Sequence, residues 1–378
     1  MKVWLVALVM TLMAWAASPA SAEEAAPETG AWVEITPQPM RIGGRLFEPT
    51  CSHAPGADPA YSFWARQGTS DNLVIFFDGG GACWDDLTCS VPWLNNGRID
   101  DGFYKAEILD TDNPNRFGGV FELNNPDNPL RDWSFIFVPY CTGDVHMGSN
   151  TATYRDVDTG EPFTIEHRGA DNFRVVLEWA RRHFRAPQQI LVTGSSAGAY
   201  GAEMHFPRIR DAFPRGRAIM LGDGGQGVAT PEFTALRNQA WHAALPSTLQ
   251  ARDATQEEDL VALLAARYPR DRFAQVTTAQ DATQAGFYAL MGAEDACRTW
   301  SQKMVRDLSA RQSASNFRSY IAAGRAHTIL RAPRFYTETS GGERFIDWFS
   351  GLLRDDAAGW NNLACAECAA PPPAPCGF

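Results

Sequence analysis

Residues 189–193, Gln-Ile-Leu-Val-Thr, form an apolar run that stops at Gly194-Ser195-Ser196-Ala197-Gly198, and a helical pattern begins at once over 199–204. No other feature restricts the chain as much. A strand passes into a helix within five residues only through a tight turn, and the positions two before and two after the apex must be nearly free of side-chain bulk. Glycine stands at both. Ser196 is therefore expected at the tip, its hydroxyl exposed at a helix N-terminus, while Ser195 is out of register and is expected to pack or hydrogen-bond.

The flanking sequence supplies the sheet such a turn needs. Apolar runs at 73–77, 135–138, 218–221, 273–277 and 317–321 read as further buried strands. Phe173, Val176, Leu177, Ala180 and Phe184 recur at helical spacing with Glu178, Arg181 and Arg182 on the other side, and Pro187 ends that helix. Residues 345–353 read as a closing helix. Strands alternating with helices predict an α/β fold, an α/β-hydrolase-like, doubly wound, mostly parallel sheet with ligands at the carboxyl ends of its strands. The expected organisation is a leader at 1–22, a flexible Ala/Pro/Glu/Thr segment at 23–38, one α/β domain at 39–364 and a Pro/Cys-rich tail at 365–378. Residues 230–269, helical and without a strand signal, read as an insertion over the functional edge.

Lys2, the apolar run 3–17 and Ser18-Pro19-Ala20-Ser21-Ala22 have the pattern of a cleaved secretory leader, because the run is shorter than the ~20 residues of a bilayer span. No later run approaches a membrane span. The expected location is the periplasm or the cell exterior. Eight cysteines, an even number behind an export signal, predict disulfides, with Cys83 and Cys89 near enough to close a small loop. Cys365-x-x-Cys368 is an isolated pair and falls short of a zinc site. With 44 acidic against 33 basic residues, net −11, the surface attracts neither nucleic acid nor anionic membrane, and it repels polyanions except at a local basic patch.

A serine hydroxyl reacts only with help from a base that is itself oriented by an acid. In this kind of sheet the chain order is serine, acid, histidine. Of seven histidines only His205, His242 and His327 follow Ser196. His327 comes soon after the last strand through a short glycine-containing loop, which is the position expected of the base. Asp281 and Asp223 both follow strands and both could be the acid; order and loop position lean to Asp281, and the glycines beside Asp223 suggest a structural turn. An oxyanion needs backbone N–H donors from a glycine-rich loop and from the residue after the serine. Asp78-Gly79-Gly80-Gly81-Ala82-Cys83 supplies such a loop, so Gly80 or Gly81, with Ala197, is expected to donate. A phosphate cradle is disfavoured, since no Gly-Lys-Ser/Thr follows. Trp84, Trp93, Phe103, Tyr104 and Tyr140 are expected mainly in the core, with lining of an acyl or sugar site as the second reading.

The chain resembles the pectin acetylesterase family, to which the Wnt deacylase Notum is related. The residues that carry the resemblance are Asp78-Gly79-Gly80-Gly81-Ala82-Cys83, Tyr140-Cys141-Thr142-Gly143-Asp144, Gly194-Ser195-Ser196-Ala197-Gly198, Asp223-Gly224-Gly225, Asp281-Ala282-Thr283-Gln284 and His327. The resemblance implies Ser196, Asp281 and His327 as a triad, Asp223 as a supporting residue, and hydrolysis of a small or medium acyl ester without metal or organic cofactor. Carbohydrate, polyester and small or lipid esters all remain open as substrates. Ala82 stands where plant members have Trp, and no cysteine adjoins His327. Acyl transfer to another acceptor, and a binding protein on an inactive hydrolase fold, are the competing functions.

Overall fold

The computed structural model describes residues 27–94, 102–243, 259–354, 356, 359–366 and 368 of the 378-residue chain. The leader, the first residues of the 23–38 segment, the middle of the 230–269 insertion and the proline-rich end of the tail lie outside the described residues. Nine strands make one sheet: β1 (Val33–Ile35), β2 (Phe63–Arg66), β3 (Asn72–Phe77), β4 (Ser134–Val138), β5 (Gln189–Ser195), β6 (Arg217–Asp223), β7 (Arg272–Thr278), β8 (Phe317–Ala322) and β9 (Leu363–Ala364). Their order is β1-β2-β4-β3-β5-β6-β7-β8-β9. β1 pairs antiparallel with β2, and β2 antiparallel with β4. From β4 to β9 every pairing is parallel.

Parallel strands buried on both faces must be apolar at every position, and the period of two then sorts alternate residues into two cores. Leu73, Ile75 and Phe77 lie in one core, while Val74 and Phe76 lie in the other. In β6, Ala218 and Met220 face the first, and Ile219 and Leu221 the second. Each fully buried side chain of this size contributes about 1.5–3 kcal/mol. The helices of eight or more residues are α1 (Gly169–His183), α2 (Ala197–Ala212), α3 (Pro231–Trp241), α4 (Leu260–Arg267), α5 (Ala282–Leu290), α6 (Ala296–Arg311) and α7 (Phe345–Leu353). α1, α2 and α6 cover the first face and α7 the second. All the strands expected from the apolar runs are present, as are the helices expected over 173–184 and 345–353.

The sequence reading did not find β1 and β2, whose three and four residues are too short to show a period. Val33–Ile35 lies inside the stretch read as flexible and is held by its pairing with Phe63–Ala65. The hairpin of Asn150–Arg155 with Pro162–His167 was also missed. Within the insertion, α3 is capped by Thr230, whose hydroxyl accepts from Phe233 N at 3.2 Å, with Pro231 at its first position. Cys51–Cys141, Cys83–Cys89 and Cys365–Cys368 are disulfides, and Cys297 is also disulfide-bonded. Among the described residues no helix is long and apolar enough to cross a membrane.

Candidate active site

Ser196 sits between β5 and α2 with φ 58° and ψ −124°, a left-handed conformation that costs a non-glycine residue about 1–3 kcal/mol. The turn is held from both sides. A Cβ on Gly194 would lie 2.6 Å from the Phe77 carbonyl oxygen, and one on Gly198 2.8 Å from that of Asp78, so neither position accepts a side chain. Ser196 N donates to the Asp223 carbonyl at 2.7 Å. Ser195 has the hydrogen-bonding role expected of it, donating to Asp223 Oδ2 at 2.8 Å.

Asp281 and His327 come together, although 46 residues separate them. His327 Nδ1 lies 2.7 Å from Asp281 Oδ2. Because a carboxylate only accepts, Nδ1 donates, and Nε2 is left as the nitrogen able to take a proton. The His327 side chain is 20 % exposed, yet Nε2 itself is buried and without a partner, and the ring shares a cavity with Ser196. Burial disfavours the charged imidazole, but the charge and hydrogen bond of Asp281, helped by Asp223, outweigh it and leave the His327 pKa raised above 6.5.

Asp281 is fully buried and also caps α5: its Oδ1 accepts from Gln284 N at 3.0 Å, and its Oδ2 from Gln284 Nε2 at 3.0 Å. Asp223, the other candidate acid, does not contact His327 by hydrogen bond. Its Oδ2 accepts from Ile329 N and Leu330 N, each at 2.9 Å, and so pins the loop that carries His327. Burial raises its pKa, and these backbone donors act against the rise.

The glycine loop lies over Ser196. A Cβ on Gly79 would stand 2.6 Å from Ser195 O and 2.9 Å from Ser196 Cβ. Gly81 has φ +71°, and a side chain there would run into the Phe103 carbonyl. Among the described residues, the N–H groups of Gly80, Gly81 and Ala197 meet no acceptor, so they are free to donate to a bound ligand. The loop is anchored from below by Asp78, which is fully buried and accepts from Lys105 Nζ at 2.5 Å and from Arg331. Lys105 Nζ also reaches Asp112 at 2.6 Å. Burial alone would raise the Asp78 pKa, but Arg331 and Lys105 bring it below the usual carboxylate range. Arg331 belongs to the loop after His327, so one buried carboxylate ties the glycine loop to the histidine loop.

Two spaces meet at Ser196. One is a cavity of ≈ 90 Å³ walled by Val145, Phe233, Trp241, Phe287 and Met291. The other is an open groove of ≈ 1160 Å³ with Phe103, Phe117, Arg116 and Arg331 along it. Of the aromatics singled out, Trp84, Tyr104 and Tyr140 are buried in the core and Phe103 lines the groove; the side chain of Trp93 lies outside the description. His146, His167 and His205 are core histidines bonded to the carbonyls of Asp78, Thr142 and His146. Cys83, Cys89 and His167 lie close enough for a metal, but the two thiols are consumed in a disulfide.

The sequence reading missed Gln284, Lys105, Asp112 and Arg331 as parts of the site. Gln284 had a signal: it stands three residues after Asp281, the spacing of a helix cap. The other three had none, because their partners are brought in by tertiary folding.

The sheet and its helices define an α/β-hydrolase-like fold. The chain belongs to the pectinacetylesterase family: the family model described as Pectinacetylesterase matches residues 50–258. Pectin acetylesterase 11 of Arabidopsis thaliana is 28 % identical over 183 residues, 47 % of this chain and 43 % of that protein. The palmitoleoyl-protein carboxylesterase NOTUM of Schmidtea mediterranea is 24 % identical over 161 residues, 41 % of this chain and 28 % of that protein. The match thus spans less than half the length of these relatives. The solved structure of the Wnt deacylase Notum from Drosophila superposes with a TM-score of 0.57 at 17 % identity, covering 84 % of this chain and 92 % of that one, which shows the shared fold.

Proposed function

We propose that the protein is an exported serine carboxylic ester hydrolase acting through an acyl-enzyme, and that it removes short acyl groups, acetyl foremost, from a bulky alcohol such as a polysaccharide. The observation that carries this reading is the unpartnered Nε2 of His327, buried beside Ser196 while Nδ1 is held by Asp281. In the first half-reaction His327 Nε2 takes the Ser196 proton and Oγ bonds to the ester carbonyl carbon. The oxyanion receives N–H groups from Gly80, Gly81 and Ala197. The intermediate then expels the alcohol, which leaves with the proton from His327. Water repeats the sequence on the acyl-enzyme, and the carboxylic acid departs with Ser196 restored.

Support for a short acyl group is the cavity of ≈ 90 Å³, smaller than the roughly 150 Å³ that encloses a benzene. A long lipid acyl chain would have to extend beyond it. The open groove suits a large alcohol, and the exposed Arg116 lines it on an otherwise acidic protein. Disulfides support folding in an oxidising compartment.

The test is hydrolysis of p-nitrophenyl esters from acetyl to octanoyl by wild type and Ser196→Ala. The expected result is an optimum at two to four carbons and loss of turnover in the variant. An optimum at octanoyl would reverse the acyl assignment. Failure of wild type to turn over any ester or to react with a fluorophosphonate would leave a binding protein on a hydrolase fold.

A further inference from the structure

We infer that Arg237 is an anion-recognition residue on the acyl side of the site, selecting acyl groups that end in a carboxylate, the half-esters of short dicarboxylic acids. The inference rests on the reading of Ser196 as nucleophile and of the small cavity as the acyl pocket. Arg237 lies on α3 and lines the ≈ 90 Å³ cavity that holds Ser196 and His327. It also lines the adjoining cavity of ≈ 800 Å³, so it stands where the two meet. An acyl chain entering from Ser196 would bring its far end to this guanidinium.

Among the described residues, its surroundings leave it without an anion. Nε is buried with no hydrogen-bond partner, and no ion pair or hydrogen bond to another described residue engages the group. The nearest aromatic support is the Phe233 ring, 5.8 Å from the guanidinium carbon. The carboxylates of the larger cavity are already taken. Asp259 pairs with Arg311, and Asp307 with Arg306. Glu203 accepts from Gln275 Nε2 at 2.9 Å, and burial pushes its pKa up to about 8, so it is largely neutral near pH 7. Arg237 is partly exposed, but its Nε is cut off from solvent without an acceptor, and a cation placed in this way is open to a ligand that completes the pair. A guanidinium presents the forked donors that a carboxylate accepts in pairs. Beyond Ser196 and His327, the polar side chains of the acyl pocket are Tyr200, Thr283 and Gln284, all uncharged near neutral pH, so the Arg237 cation would decide between a neutral and an anionic acyl end of equal size.

The experiment compares kcat/KM, followed by pH-stat, for ethyl hydrogen succinate and ethyl 4-methylpentanoate, whose acyl ends differ in charge but hardly in shape. Alkyl esters are used because aryl half-esters expel their phenol by intramolecular attack of the free carboxylate. Wild type, Arg237→Gln and Arg237→Lys are assayed together, with titration calorimetry of succinate into Ser196→Ala and into Ser196→Ala/Arg237→Gln. Wild type is expected to favour the half-ester roughly tenfold or more, Arg237→Gln to lose that preference, and Arg237→Lys to recover part of it. Succinate affinity is expected to fall by a similar factor in the double variant. Ester turnover with an unchanged charge preference in Arg237→Gln overturns the inference while leaving the esterase reading in place. No ester turnover at all, but succinate binding that depends on Arg237, overturns the esterase reading and keeps the anion site.

Discussion

Asp281→Asn isolates the part of the site that geometry defines most sharply. In the native protein both oxygens of Asp281 are committed: Oδ1 to Gln284 N, and Oδ2 to Gln284 Nε2 and to His327 Nδ1. An asparagine keeps its oxygen against Gln284 N, because that backbone donor cannot turn away. Its NH2 group then faces both the Gln284 amide and His327 Nδ1. Two donors meet at the first contact, and at the second the imidazole must become an acceptor. That places its proton on Nε2, the atom that has to receive one from Ser196. The loss combines a charge-assisted hydrogen bond worth about 1.5–3 kcal/mol with a wrong tautomer, and a loss on the order of 10³–10⁴ in kcat is expected. The assay is p-nitrophenyl acetate hydrolysis over a pH series, with circular dichroism to verify folding. A neutral imidazole is the active form, so the raised pKa of His327 puts the acid limb of the wild-type profile above pH 6.5. With the carboxylate gone, that limb moves to lower pH. The same pair contributes stability that is complete below pH 6.5 and is lost as pH rises through the folded His327 pKa. A folded Asp281→Asn enzyme with less than a tenfold loss, or an unmoved acid limb, would refute the assignment of Asp281.

Three other outcomes follow from named contacts. Gly81→Ala forces a Cβ toward the Phe103 carbonyl at a left-handed backbone position, and should lower kcat by about 10²–10³ through loss of an oxyanion donor, read in single-turnover kinetics. Lys105→Met leaves Asp78 and Asp112 buried with only Arg331 nearby, and should cost about 3–5 kcal/mol in urea unfolding, whereas a change under 1 kcal/mol would show that the ion cluster is not structural. Reduction of Cys51–Cys141, which joins positions 90 apart, should remove about 4–5 kcal/mol, measured as a fall in the denaturation midpoint.

What the sequence disclosed and what it hid divide along the distance between interacting residues. The turn at Ser196 was legible because its demand for small neighbours is met within five residues. The two-sided strands were legible because a parallel sheet buried on both faces writes an unbroken apolar run. Asp281 and Asp223 looked alike, since each follows a strand; only the fold shows that one meets the imidazole while the other meets the N–H groups two and three residues past it. Lys105, Asp112 and Arg331 left no local trace, because a charged residue reads as solvated until its partner arrives. Arg237 was hidden in the opposite way, being an ordinary residue on a polar helix that no carboxylate among the described residues pairs with.

The bond between Asp78 and Arg331 spans 253 positions. It makes the spacing of the glycine loop and the histidine loop a long-range property, because loops from the first and final quarters of the chain must both be in place before it is set. A chain still being synthesised has its serine turn before the His327 loop exists. On the proposed reading, activity would therefore report on the whole domain and not on the serine turn alone.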